Sequence, residues 1–266
     1  MGIVAGVLAG CAILPASMAL AWWIRRITGN SGWIDVIWTA GVGLTAVLLA
    51  LTTADDAPTT RQLAVAGMAA LWSLRLATYL LARTVRAGDD PRYRDLMEYW
   101  GAAAERKLFG FLQAQAGAGF ILALVILIAA RAPGAFPGVE DVAGLTLFTA
   151  GLVGSAIADL QLRQFKAKVE NAGKICDRGL WRWSRHPNYF FEWLCWLSYP
   201  LIAIDLDGAY PWGYAALAGP VWMYWLLVHV SGIPPLETHL MRSRGAAFMV
   251  YRMRTSAFFP WPPKQG

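Results

Sequence analysis

Seven apolar runs close to bilayer length constrain this chain more than any other feature. Residues 3–23, 33–53, 63–81 and 109–130 approach the roughly 20 residues that a helix needs to cross about 30 Å of hydrocarbon, and residues 142–158, 189–204 and 214–231 are shorter but usable. Continuous runs of this kind read as helices. The expected fold is therefore all-α, a polytopic integral membrane protein with seven transmembrane helices. The first run has a rival reading as a signal peptide, but Arg25 and Arg26 follow the apolar stretch instead of preceding it and no small-residue cleavage pattern closes it.

Composition agrees. With 57% hydrophobic and 15% charged residues, the chain is too apolar for an ordinary soluble domain. A net charge of +6 would suggest nucleic acid in a soluble protein, whereas here it marks loops held on one side of a bilayer. Twenty of the 23 lysines and arginines follow the first, third, fifth and seventh runs, and only Arg61 and Arg131 lie in the opposite loops. The positive-inside rule then places the N-terminus outside and the C-terminus in the cytoplasm. The remaining cation, Arg75, falls inside the third run.

Cys11, Cys176 and Cys195 form no disulfide framework, and His186, His229 and His239 match no metal-binding spacing, so no metal site is expected. No linker, low-complexity tract or repeat divides residues 1–266, which read as a single domain. Turns are expected at Asp55-Asp56-Ala57-Pro58 and over residues 133–138. Between residues 83 and 107 the chain mixes DDPRYRD with Tyr99 and Trp100. Headgroup contact suits those two aromatics, and the roles of Arg92 and Tyr93 stay open.

The stretch 159–196 joins this apolar frame to polar chemistry. In a helix Asp159, Arg163 and Lys166 fall at i, i+4 and i+7, so one acid and two cations share a face that suits a polyanion. Pro187 fits a first helical turn, after which Asn188, Glu192 and Trp196 repeat at i, i+4 and i+8. Glu192 lies in an apolar run, where an ionisable group is costly and points to function; a loop-closing pair with Arg185 or Lys174 is the plainer alternative. Earlier in the chain Asp35 starts the second run, while Arg75 and Tyr79 sit one turn apart in the third. A structural Asp35–Arg75 pair competes with a role for Asp35 beside Tyr79.

The order Asp159, Arg163, Lys166, then Gly179-Leu180-Trp181, Ser184-Arg185-His186-Pro187-Asn188-Tyr189, Glu192, Trp196, Glu237 and Arg254-Thr255-Ser256-Ala257-Phe258-Phe259-Pro260 resembles the bacterial membrane reductases related to steroid 5-alpha-reductases. The likeness covers residues 155–260 well; the N-terminal third matches in span pattern and in Arg83-Thr84. It implies a seven-helix, NADPH-dependent reductase of a bacterial inner membrane, loaded from the cytoplasm and reducing the C=C bond of an enone lipid such as a 3-oxo-Δ4-steroid. The cofactor set it implies is Ser155, Asp159, Arg163, Lys166, Lys174, Arg185, Asn188, Tyr189, Glu192, Trp196, Glu237 and Arg254. Expected partners are that hydrophobic substrate and membrane lipids, with no nucleic acid.

For the chemistry, the family uses a glutamate on the second span and a tyrosine on the third. Here Asp35 is the only acid at the start of the second span, and Tyr79 lies one position off in an ungapped match. Two rivals remain. An isoprenylcysteine carboxyl methyltransferase type of enzyme, using S-adenosylmethionine, shares the RHPxY element but lacks the Asp159, Arg163 and Lys166 face. A non-catalytic lipid-binding protein could keep the fold without the chemistry.

Overall fold

The computed structural model describes residues 2–53 and 57–264, apart from the side chain of Ala87. The turn expected at Asp55-Asp56-Ala57-Pro58 therefore lies partly outside the described residues. Two compact units emerge, one of residues 1–142 and 199–219, the other of residues 143–198 and 220–266.

In the first unit α1 (Ile3–Thr28), α2 (Gly32–Ala50), α3 (Thr60–Ala87) and α5 (Ala104–Ala130) pack together. All four overrun at least one end of their apolar run or stop short of it, because polar caps and charged ends set the boundaries. Arg25 and Arg26 complete the last turn of α1, where cations suit the helix dipole, and Gly29 at φ 68° ends it. α3 starts at a capping box: the Thr59 side chain accepts from the Gln62 amide, and the Gln62 side chain accepts from that of Thr59. α2 and α3 cross so closely that a β-carbon on Gly43 would stand 2.1 Å from the Ser73 hydroxyl, which itself donates to the Thr39 carbonyl.

The stretch between α3 and α5 is not an open loop. Asp90 caps α4 (Pro91–Trp100), with its side chain accepting from the Arg92 amide and Pro91 in the first turn. Residues 131–138 form the expected non-helical connection, and Arg61 gathers it. Arg61 is 3% exposed, and its guanidinium meets Asp141 through two hydrogen bonds of 2.9 and 2.7 Å and donates to the carbonyls of Ala132, Pro133, Gly134 and Ala135.

In the second unit α6 (Val139–Ala167) continues nine residues beyond its apolar run, which puts Asp159, Arg163 and Lys166 on one continuous helix. Helix α7 (Pro187–Ala203) begins at Pro187. Its 17 residues give about 26 Å at 1.5 Å per residue, short for a bilayer. Six other helical stretches are long and apolar enough to cross a membrane among the described residues, which marks the chain as an integral membrane protein.

The run expected as a seventh span over residues 214–231 is not one α-helix. It divides into a 3-10 stretch (Pro211–Leu217), α8 (Ala218–Trp225) and a π-helical stretch (Leu226–Val230). At Gly232 a β-carbon would meet the Leu227 carbonyl oxygen at 2.3 Å, and the chain turns there into α9 (Ile233–Arg254), itself kinked at Gly245. The C-terminal segment then returns along residues 183–186. Ser184 and Ser256 form a parallel bridge, Arg185 N–H donates to the Ser256 carbonyl at 2.8 Å, and Trp261 N–H donates to the Trp183 carbonyl at 3.0 Å. Phe258 and Phe259 complete an aromatic cluster with Phe190, Trp193 and Tyr224.

Candidate functional site

In the second unit α6 and α7 run antiparallel and touch through glycine. A β-carbon on Gly154 would lie 2.2 Å from the Phe191 ring, and one on Gly151 would lie 2.8 Å from the Cys195 amide and sulfur. This close crossing brings Asp159 to the first turn of α7. Asn188 Nδ2 donates to Asp159 Oδ1 at 3.1 Å, and one turn further Trp196 Nε1 donates to Glu192 Oε1 at 3.3 Å. Asp159 is 4% exposed and Glu192 7%. The spacing expected from the sequence thus produces two buried carboxylates, each hydrogen-bonded by a neutral donor. Ser155 is buried one turn before Asp159, and its hydroxyl donates to the Leu152 carbonyl.

Arg163 and Lys166 follow Asp159 along α6 and are exposed, as is Lys174 in the segment after it. The remaining expected residues form a separate knot. Arg185 Nε donates to Glu237 Oε1 at 2.8 Å, and its guanidinium also serves the carbonyls of Arg252 and Thr255. Hence Arg185 turns to Glu237 on α9, not to Glu192 as the loop-closing alternative supposed.

His186, which sequence reasoning passed over inside its own motif, is 1% exposed and shares Glu237 at 3.1 Å through Nε2. Because a carboxylate only accepts, Nε2 carries the proton, and buried Nδ1 has no protein partner. Burial pushes the His186 ring below its ordinary pKa, against the pull of Glu237. Its ring stacks on Tyr189 at 5.4 Å. Arg254 stands exposed at the end of α9 and lines a cavity with Arg182 and Asp177.

Asp35 and Tyr79 belong to the first unit. Asp35 is not committed to Arg75: it is ion-paired with Arg92 and lies 3.6 Å from Arg83, while the Tyr93 hydroxyl donates to it at 3.0 Å. Gln115 Nε2 donates to that same hydroxyl at 3.4 Å. Arg92 and Arg83 each also reach Asp90 at 2.8 Å. Burial pushes the Asp90 carboxyl up, but the hydrogen bonds and charge of Arg92, joined by the charge of Arg83, more than reverse this and hold it below its usual value. Arg75 instead lies 5.9 Å over the Tyr79 ring. The Asp90-Pro91 cap signature could have revealed α4 and so the place of Arg92 and Tyr93.

By donor chemistry the α6–α7 set fits a dinucleotide. An amide and acids suit a carboxamide or ribose hydroxyls, an indole suits a flat ring, and exposed cations beyond them suit phosphates. Among the described residues there is no glycine-rich strand-turn-helix, so such a site is not of the Rossmann type.

An uncharacterized protein of Schizosaccharomyces pombe is 34% identical over 83 residues, or 31% of this chain. The match spans 22% of that relative's own length. No solved structure matches. The family described as "protein of unknown function (DUF1295)" matches residues 21–255, nearly the whole helical body, and the chain belongs to that family.

Proposed function

We propose that the chain is an NADPH-dependent membrane reductase that delivers hydride to the C=C bond of an enone lipid such as a 3-oxo-Δ4-steroid. The observation that carries the reading is the buried polar face of α6 and α7, where Asn188 bonds Asp159 and Trp196 bonds Glu192 within otherwise apolar helices. Ionisable groups held at that depth are expensive and point to a ligand. The sequence resemblance over residues 155–260 supports the choice of NADPH.

When bound, NADPH supplies the hydride from its nicotinamide. Asn188, fixed by Asp159, offers its amide to the polar edge of that ring or its ribose, and the packed indole of Trp196 keeps Glu192 oriented and water out. Arg163, Lys166 and Lys174 balance phosphate charge from the cytoplasmic side. For polarising the carbonyl and supplying a proton, the resemblance points to Asp35 and Tyr79 of the first unit.

The test is the thermal stability of the protein in detergent with NADPH, NADH or S-adenosylmethionine, since a ligand of the folded state raises the melting temperature by mass action. NADPH is expected to give the largest shift, because the cations reward its extra phosphate. A shift with S-adenosylmethionine alone would assign the protein to methyl transfer, and no shift with any of the three would leave a non-catalytic lipid-binding protein.

A further inference from the structure

A cavity of about 330 Å³ opens in the second unit between the segment after α6 and the end of α9. Its size is at the low end for a ligand pocket, too small for a dinucleotide and sufficient for one nucleoside with a phosphate. Ile175, Val250 and Pro263 give it apolar walls, and Asp177, Arg182 and Arg254 give it charge. Neither arginine enters an ion pair among the described residues, in contrast to Arg185 and Arg252, which Glu237 takes. Two guanidiniums at one small cavity repel each other, and a phosphate monoester dianion between them removes that repulsion through charge-assisted hydrogen bonds.

The walls are held in place before any ligand arrives. Lys264 N–H donates to the Arg254 carbonyl at 2.9 Å, which folds the tail and Pro263 over the end of α9. The buried Tyr251 hydroxyl donates to the Trp181 carbonyl, and the Trp181 indole in turn donates to the Ala158 carbonyl at 2.9 Å, one residue before Asp159. A single tryptophan therefore links a residue lining the cavity to the α6 turn that carries Asp159.

We infer that this cavity holds the adenosine end of the dinucleotide, with Arg182 and Arg254 flanking a 2′-phosphate, Asp177 facing a ribose hydroxyl or the adenine amine, and the base lying along Ile175, Val250 and Pro263. The assignment rests on the NADPH reading and deepens it: Arg182 and Arg254 become the residues that distinguish NADPH from NADH. A lipid headgroup phosphate shares part of this chemistry, but as a diester it carries one charge against two guanidiniums and brings no flat ring for the apolar wall.

The full chain in detergent is titrated with NADPH, NADH, adenosine 2′,5′-bisphosphate and adenosine 5′-monophosphate, for the wild type and for Arg182→Gln and Arg254→Gln. The bisphosphate is expected to bind and to compete with NADPH. Each substitution is expected to weaken both by about 10- to 100-fold, the loss of one charge-assisted contact, and to leave NADH unchanged. Both arginines are exposed, so the ligand-free melting temperature should stay near that of the wild type and report intact folding. Wild-type NADPH binding that both substitutions leave untouched would overturn this inference while sparing the NADPH reading. Failure of every nucleotide to bind would overturn both, and displacement of the bisphosphate by phosphatidylglycerol micelles, with NADPH still bound, would give the cavity to lipid.

Discussion

Arg61 in the first unit and Asp159 in the second are both buried charges, and they sit in different settings. Arg61 is met by the full opposite charge of Asp141 and by four backbone carbonyls, so its guanidinium joins the start of α3 to the segment before α6 and to the first turn of α6. Asp159 accepts a hydrogen bond from the amide of Asn188, and Glu192 accepts one from the indole of Trp196. Charge spent on charge makes structure. Asp159, Asn188, Glu192 and Trp196 instead form the face proposed to hold a ligand, so loss of the Arg61 pair should appear as stability and loss at the α6–α7 face as binding.

The largest effect is expected at the ion pair. Arg61→Met leaves Asp141 buried without its partner, a loss of about 3 to 5 kcal/mol in unfolding free energy measured by denaturant titration in detergent. The double variant Arg61→Met with Asp141→Leu should recover much of it, because no charge is then left unpaired. A single variant as stable as the wild type would break the comparison at its structural end.

Tyr79→Phe comes next and asks whether the first unit contributes only structure. In the proposed reduction its hydroxyl supplies a proton, so turnover of a 3-oxo-Δ4-steroid should fall by about 100-fold while NADPH affinity holds. Equal turnover would remove Tyr79 from the chemistry and leave the contrast between the units sharper.

Asp35→Asn should cost less, about 1 to 2 kcal/mol, because its partners Arg92 and Arg83 are partly exposed and retain Asp90. Tyr93→Phe removes the hydrogen bond to Asp35 and the acceptor of Gln115, and should cost about 1 kcal/mol in the same titration. If Asp35→Asn costs as much as Arg61→Met, the Asp35 cluster belongs with the buried ion pair.

The smallest effect concerns pH. His186 has its folded pKa below the ordinary 6.5, so the unfolded chain takes up a proton that the folded chain resists. Its contribution to stability is complete above about pH 6.5, declines as pH falls below that value and levels off under the folded pKa. Asp90, also lowered, loses its contribution in a separate and more acid window below its ordinary 3.8. Melting temperature followed from pH 8 to 5 should therefore drop more steeply for the wild type than for His186→Gln. Parallel curves would exclude His186 as the cause.

Much of this was legible in the sequence, and the gaps have physical reasons. Apolar length located the spans, but the ends of α3 and α6 depend on a cap and on charged turns that continue a helix into water. The last run divides into 3-10, α and π stretches between Pro211 and Val230, a difference of backbone geometry that hydropathy does not register. On the site side, the regular spacing of Asp159, Arg163 and Lys166, and of Asn188, Glu192 and Trp196, is a local property of a helix and carried through. The partners of Asp35 and Arg185 were not legible, because Arg92 and Glu237 lie 57 and 52 residues away in sequence and only packing brings them together.

The most direct measurement is equilibrium binding of NADPH to wild type and to Glu192→Gln, with the ligand-free melting temperature of each recorded alongside. The substitution keeps the size of the side chain and removes its charge. A dissociation constant raised by about tenfold or more, with an unchanged melting temperature, is expected if the α6–α7 face is a cofactor site. An unchanged dissociation constant, or a weakening that comes only with loss of folding, would contradict it.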